Sequence, residues 1–253
     1  MILGKIYPQC LFLARPSKLD TMIDPFKSIS INGYKHIAFE QDVHYSESEM
    51  LAQSAAFYEW LEKRRSIRMF SKRAVPKPVI ENLIRSASTA PSGAHKQPWT
   101  FCAVSNTALK SKIRQAAEAE EKVSYESRMS DRWKKDLEPL ATDMYKPFLE
   151  EAPWLIIGFK KVYELDGANK KHNNYYVNES MGIACGLLIA AIHNAGLVTL
   201  THTPSPMNFL AKLLKRPSNE RAYILFPVGY AADEVYVPDI QRKPLDEVAV
   251  FYE

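Results

Sequence analysis

The run Arg64-Arg65-Ser66-Ile67-Arg68 packs three guanidinium groups and a hydroxyl into five consecutive residues. A guanidinium is a rigid fork of donors that matches the oxygens of a phosphate. One such charge-assisted contact contributes about 1.5–3 kcal/mol. Converging on one dianion, the run would hold a small phosphorylated molecule. It follows an amphipathic helix expected over Glu47 to Lys63. Cations at a helix end also complement the macrodipole, so a solvated basic terminus is the plain alternative. A second group of chemical interest is Glu121, Tyr125 and Lys146. Glu121 and Tyr125 are four apart and share a face if their helix continues that far. Folding back the charged stretch after them brings in Lys146. A carboxylate, a phenol and an ammonium together suit an amino-acid zwitterion, with Glu121 for its α-ammonium and Tyr125 and Lys146 for its α-carboxylate. On the residue types alone, solvated surface charge is the plain alternative here too.

Composition narrows the classes. The chain has 253 residues, 46% of them hydrophobic, with 33 basic and 29 acidic residues and a net charge of +4. The charge is mild and dispersed, which argues against nucleic-acid binding. No GxGxxG or GxxxxGK[ST] run occurs, so the usual Rossmann and P-loop signatures are missing. Cys10, Cys102 and Cys185 are too few and too widely spaced for a disulfide framework and suit a reducing compartment. No compact Cys/His cluster suggests zinc, and no metal is expected. The longest apolar stretch, Met181 to Ile192, is too short to span a bilayer, and the N-terminus makes a poor signal peptide. A soluble, cytoplasmic protein without membrane association is expected.

The elements that must position these residues can be read from periodicity. Ser46 with Glu49 forms a capping box opening the helix over Glu47 to Lys63, with Leu51, Ala55, Tyr58 and Leu61 on one face. A second helix starts near Pro78. Trp99 to Val104 reads as a strand, and Asn106 caps a helix from Thr107 to about Glu121. Residues 122–150 show weak periodicity, as lids and binding loops do. Strands are expected at Trp154 to Phe159, Leu197 to His202 and Tyr223 to Val228. A helix from Tyr175 to Ala195, closed by Gly196, is apolar on most sides and needs cover all round, which a second subunit would supply. A short helix spans Met207 to Leu214. The pattern is α+β in three α/β/α layers. Residues 1–45 read as an irregular, partly disordered arm. Residues 46–253 read as the main domain, with a lid over 118–150 and a C-terminal arm over 230–253.

Two segments together, Arg64-Arg65-Ser66-Ile67-Arg68 and Ala90-Pro91-Ser92-Gly93-Ala94-His95-Lys96-Gln97-Pro98-Trp99, resemble the FMN-dependent nitroreductase superfamily. Most nitroreductases carry an Asn about two residues before Gln-Pro-Trp; here His95-Lys96 stands instead, as in the iodotyrosine deiodinase branch. The likeness continues through Glu121, Tyr125, Lys146, the stretch Gly196 to Pro204, Pro227 to Tyr230 and Val237 to Asp246, and covers about residues 45–250. Animal deiodinases of this branch carry an N-terminal membrane anchor; none is expected here.

The resemblance implies an intertwined homodimer with two flavin sites at its interface. It places Arg64, Arg65, Ser66 and Arg68 on the FMN ribityl chain and phosphate, with Ile67 contributing backbone at most. Arg242 adds a late cation, and Pro91 and Ser92 come from the opposite subunit. Thr201, His202 and Thr203 would lie along the flavin, with the Thr203 hydroxyl donating to N5 and so permitting one-electron steps. Without the resemblance, the threonines are ordinary strand residues and His202 a packed histidine. The Ala94 N–H would face the phenolic oxygen of a bound halotyrosine, and Glu121, Tyr125 and Lys146 would clasp its zwitterion. The implied activity is reductive dehalogenation of mono- and diiodotyrosine, and of bromo- and chlorotyrosine, with reducing equivalents from NAD(P)H through a partner reductase. A general nitroreductase or quinone reductase, or a flavin-binding module without turnover, would share the flavin motifs.

Overall fold

A computed structural model describes residues 28–39, 41 and 43–253; the expectations for residues 1–27, Cys10 among them, lie outside it. The described residues form β1 (Ser28–Ile31), β2 (Tyr34–Ile37), α1 (Glu47–Glu62), α2 (Lys77–Ala87), β3 (Trp99–Val104), α3 (Thr107–Val123), α4 (Asp131–Leu137) and α5 (Phe148–Glu151). There follow β4 (Trp154–Lys161), β5 (Tyr163–Leu165), β6 (Lys171–Asn173), α6 (Val177–Asn194), β7 (Val198–Thr199), α7 (Asn208–Leu213), β8 (Glu220–Gly229) and α8 (Leu245–Val248). They fall into two compact units divided between Ser54 and Ala55, inside α1 rather than before it.

The first unit corrects one expectation. Residues 28–37 are not irregular but form an antiparallel hairpin in which Ile31 pairs with Tyr34. Asn32 and Gly33 make the turn at φ 51° and 83°. Asn-Gly is the favoured pair where both central residues need positive φ, because its twist matches that of the strands. In the same unit the capping box at α1 forms as expected: Ser46 N–H donates to Glu49 Oε2 at 2.9 Å and Glu49 N–H to Ser46 Oγ at 3.4 Å.

The second unit is built on a four-stranded antiparallel sheet in the order β3-β4-β8-β7. Alternation along β4 feeds two cores. Ile156 packs with Ile80, Leu83, Met181, Leu188 and Phe226 beneath α2 and α6. Leu155, Ile157 and Phe159 pack with Ile113, Ala117, Leu149 and Leu210 beneath α3, α5 and α7. A period-2 strand with both faces apolar must be covered twice, and the result is the expected three layers.

Two further expectations are corrected, for 197–202 and for 122–150. The strand expected over Leu197 to His202 is ordered as a ladder only at Val198–Thr199, with one more rung, His202 to Leu225, in the same register. The register would set Leu200 opposite Pro227, which has no N–H to give, so the ladder breaks there. The stretch 122–150 is mostly helical: a π turn at Ser124–Arg128, then α4, then a 3-10 turn at Glu138–Leu140. Its short caps, such as Ser130 Oγ accepting from Trp133 N–H, evade a search for long apolar periodicity. Tyr58, on the apolar face of α1 in the second unit, is 64% exposed among the described residues.

Gly229, at the end of β8, sits against a proline. A Cβ there would lie 2.5 Å from Pro153 Cδ. Gly229→Ala should lower stability by about 1–3 kcal/mol, as overpacking of a close-packed core does, and urea titration will read it as a lower midpoint with unchanged slope.

Candidate active site

The arginine run leaves α1 and is tied to the sheet edge. Ile67 N–H donates to the Thr199 carbonyl at 3.1 Å, beside a parallel bridge between Ser66 and Thr199. Ile67 is buried. It therefore anchors the run while its neighbours turn outward. The C-terminal segment closes over the same place: Ser71 N–H meets the Tyr230 carbonyl, and Ala232 N–H the Met69 carbonyl. From that segment Arg242 pairs with the Glu62 carboxylate and donates to the Arg64 carbonyl at 3.1 Å.

The product is a cavity of about 430 Å³ whose wall includes Arg64, Arg65, Ser66, Arg68, Thr201 and Arg242. No carboxylate is among its lining residues. Burial, followed by the nearby charges of Arg242 and Arg65, pushes the Arg64 guanidinium below its ordinary pKa. Burial does the same to Arg68. Like charges held together and partly desolvated need an anion, and a phosphate ester fits this donor set. The volume is within the range of small-molecule sites. Leu140, Val237, Pro238, Ile240 and Gln241 complete the wall and were not among the expected site residues; Gln241 beside Arg242 was the available hint.

Glu121, Tyr125 and Lys146 do come together. Lys146 Nζ lies 3.8 Å from Glu121 Oε2, too long for a hydrogen bond, and 5.8 Å from the Tyr125 ring centre. A stripe along α3 brings the chain back to make this possible. Glu118 accepts from Lys146 N–H at 2.7 Å, and Lys110 donates to the carbonyls of Glu150 and Ala152. Tyr125 Oη donates to the Thr142 carbonyl at 3.1 Å, and Lys146 Nζ donates to Thr142 Oγ1 at 3.2 Å. Burial pushes each of the three toward its neutral form: Lys146 down, Glu121 up and Tyr125 up. Mutual attraction offsets this only in part. Arg68 links the two groups of residues, since it lines the cavity and its charge also acts on Tyr125 and Lys146.

Other expected residues stand apart. Pro91, Ser92, Ala94 and Thr203 are not in the cavity wall of this chain. Thr203 is exposed on the segment after the broken ladder. His202 faces the core rather than the cavity: its backbone pairs with Leu225, and its ring meets Phe148 edge-on at 5.6 Å. Its Nε2 is buried without a partner among the described residues. No group of three or more His, Cys, Asp or Glu residues arranged to hold a metal, and no helix long and apolar enough to cross a membrane, occurs among the described residues.

Burial, then the charges of Lys146 and Arg68, pushes His202 down to about 3 from 6.5. The folded protein thus resists protonation that the unfolded chain accepts. Stability attributable to His202 is complete above the unfolded value and is lost as pH falls from about 6.5 toward 3. Denaturant titrations at pH 7 and pH 5 should show a loss of stability that is smaller in His202→Phe, by up to one proton in the slope.

A family model described as the nitroreductase family matches residues 61–230. An iodotyrosine deiodinase of Haliscomenobacter hydrossis is 59% identical over 210 residues, covering 82% of this chain and 94% of that one. Human iodotyrosine deiodinase 1 is 49% identical over 217 residues, covering 85% of this chain and 75% of its own. A crystal structure of oxidized iodotyrosine deiodinase bound to FMN and 3-iodo-L-tyrosine superposes with a TM-score of 0.67 at 33% identity, covering 78% of this chain and 98% of the other. With the arginine-lined cavity and the carboxylate–phenol–ammonium cluster beside it, these likenesses place the chain in the nitroreductase family, within its iodotyrosine deiodinase branch.

Proposed function

We propose that this protein is an FMN-dependent oxidoreductase that removes halogen reductively from 3-halotyrosines, iodotyrosines first among them, giving tyrosine and halide. The observation that carries this reading is the adjacency, through Arg68, of an arginine cavity with no carboxylate in its wall to the cluster of buried Lys146 with half-buried Glu121 and Tyr125. Its relatives are iodotyrosine deiodinases, one of them seen with FMN and 3-iodo-L-tyrosine.

Arg64, Arg65, Ser66, Arg68 and Arg242 would hold the phosphate end of FMN, with Thr201 at the cavity wall; Thr203, outside that wall, would reach the ring from the exposed segment beyond it. FMN, when bound, supplies the two electrons that, with one proton, replace the carbon–halogen bond by carbon–hydrogen and release halide. A zwitterionic amino acid complements the charges of the cluster. Its ammonium meets Glu121, and its carboxylate meets Tyr125 and Lys146, so each buried charge regains what desolvation removed. An ortho halogen lowers the phenol's pKa from about 10 toward neutrality. The Ala94 N–H then selects the phenolate. Closure of the 118–150 segment over the substrate excludes water.

The active form is a homodimer in this reading. Pro91, Ser92 and Ala94 lie outside the cavity of their own chain and would serve the partner's. Phe57 and Tyr58 on α1, and Ile183 and Leu187 on α6, are exposed apolar residues that a second subunit would cover. Reducing equivalents come from NAD(P)H through a partner reductase. The free thiols of Cys102 and Cys185 suit a cytoplasmic setting.

Anaerobic mixing of dithionite-reduced, FMN-loaded protein with diiodotyrosine should release iodide and reoxidise the flavin; protein that stays colourless after incubation with FMN defeats the reading. Lys146→Ala and Glu121→Gln should weaken halotyrosine binding by about 10-fold or more, from the ~1.5–3 kcal/mol of a charged hydrogen bond. FMN affinity should stay within a few-fold; equal losses of both would dismiss the clasp. Thr203→Ala should retain FMN and slow iodide release in single-turnover mixing.

A further inference from the structure

Among the described residues, eight that are not glycine have positive φ, and three of them fall between Ala94 and Gln97: Ala94 at 50°, His95 at 54° and Gln97 at 46°. Such conformations persist only where the surroundings over-determine them. Gln97 is doubly constrained, because the ring of Pro98 also restricts the residue before it.

The bonds that impose this shape are all present. Gln97 N–H donates to Ser92 Oγ at 2.9 Å, closing the turn. His95 N–H donates to the Ser92 carbonyl at 3.0 Å and Lys96 N–H to the Gly93 carbonyl at 3.1 Å. Beyond the turn, Trp99 N–H reaches the Gln97 carbonyl at 2.7 Å. The side chains add a brace: Gln97 Nε2 lies 3.0 Å from His95 Nε2. With Gln97 as donor, the neutral imidazole accepts. Outside, Lys96 Nζ meets Glu164 Oε2 of β5 at 3.1 Å. Beneath, Gly93 fits against Tyr176, where a Cβ would come within 2.9 Å of the ring. The amides of His95, Lys96 and Gln97 are thus all engaged within the turn. The N–H groups of Ser92, Gly93 and Ala94, on the turn's entering side, have no partner among the described residues.

We infer that His95 and Gln97 are positioning residues for phenolate recognition: their side-chain bond locks the Ser92–Gln97 turn so that the Ala94 N–H stands as a fixed donor. They act through the backbone of the turn, in which Ala94 directly precedes His95. A donor held in place favours the ionised oxygen of a halotyrosine over the neutral phenol of tyrosine, because its orientation costs nothing at binding. The inference rests on the halotyrosine reading for its ligand, but the lock itself does not.

The test uses FMN-loaded protein carrying Gln97→Leu, His95→Phe or His95→Gln. Affinities for 3-iodotyrosine and tyrosine are read by flavin fluorescence, with FMN affinity and thermal midpoint measured alongside. Gln97→Leu and His95→Phe should each reduce the preference for 3-iodotyrosine at least tenfold with FMN affinity and midpoint unchanged. His95→Gln, which keeps a hydrogen-bonding side chain, should restore most of it. An unchanged preference overturns the inference, and so does one lost only together with FMN or with the midpoint. Amide hydrogen exchange across 92–97 is followed in the same proteins without substrate and should speed up in Gln97→Leu. Unchanged exchange refutes the lock. Native protein that binds no 3-iodotyrosine instead overturns the proposed function, leaving exchange to decide the lock.

Discussion

Like charges gathered without counter-charge are the constraint around which the second unit is arranged. Arg64, Arg65, Arg68 and Arg242 line one cavity, and the carboxylate nearest to them, Glu62, is engaged by Arg242. Left in water the four would separate. They are held together by a sheet-edge bond at Ile67, by the C-terminal segment paired at Met69 and Ser71, and by the Arg242 contacts to Glu62 and Arg64. A dianion that binds only the folded state offsets this repulsion and stabilises the whole unit.

The same logic, with the sign varied, governs the neighbouring cluster. Glu121 and Lys146 are nearly buried yet 3.8 Å apart. Replacing such a pair by apolar groups would often cost little. Lys146 Nζ finds the Thr142 hydroxyl at 3.2 Å instead, and Tyr125 Oη the Thr142 carbonyl at 3.1 Å. Arg68, which lines the cavity, also acts by its charge on Tyr125 and Lys146.

Much of this was legible in the sequence, for reasons that differ by residue. β3 and α3 announced themselves because alternation and an Asn106 cap are local signals; Asn106 Oδ1 does accept from Leu109 N–H at 2.8 Å. The arginine run was legible only together with the Ala90–Trp99 segment, because a basic helix end alone reads as well as a solvated terminus. The hairpin at Ser28–Ile37 was equally local, yet its Asn-Gly turn went unread amid a mixed segment. The broken ladder after Thr199 was not local at all, since its cause is a proline in another strand. Nor could spacing show that Pro91, Ser92, Ala94 and Thr203 stand away from their own chain's cavity. Which face of a chain meets which site depends on packing between elements, and on subunits, that no single stretch encodes.

The missing rung opposite Pro227 has an architectural consequence. Thr199 and His202 remain pinned, one by its neighbours in the sheet and the other by both bonds to Leu225. The two residues between them owe nothing to ladder geometry. Thr201, which borders the cavity, can therefore shift its dihedrals without unzipping the sheet. The wall of the cavity at Thr201 is thus free of ladder bonds, while Leu200 beside it is held by the core rather than by the sheet.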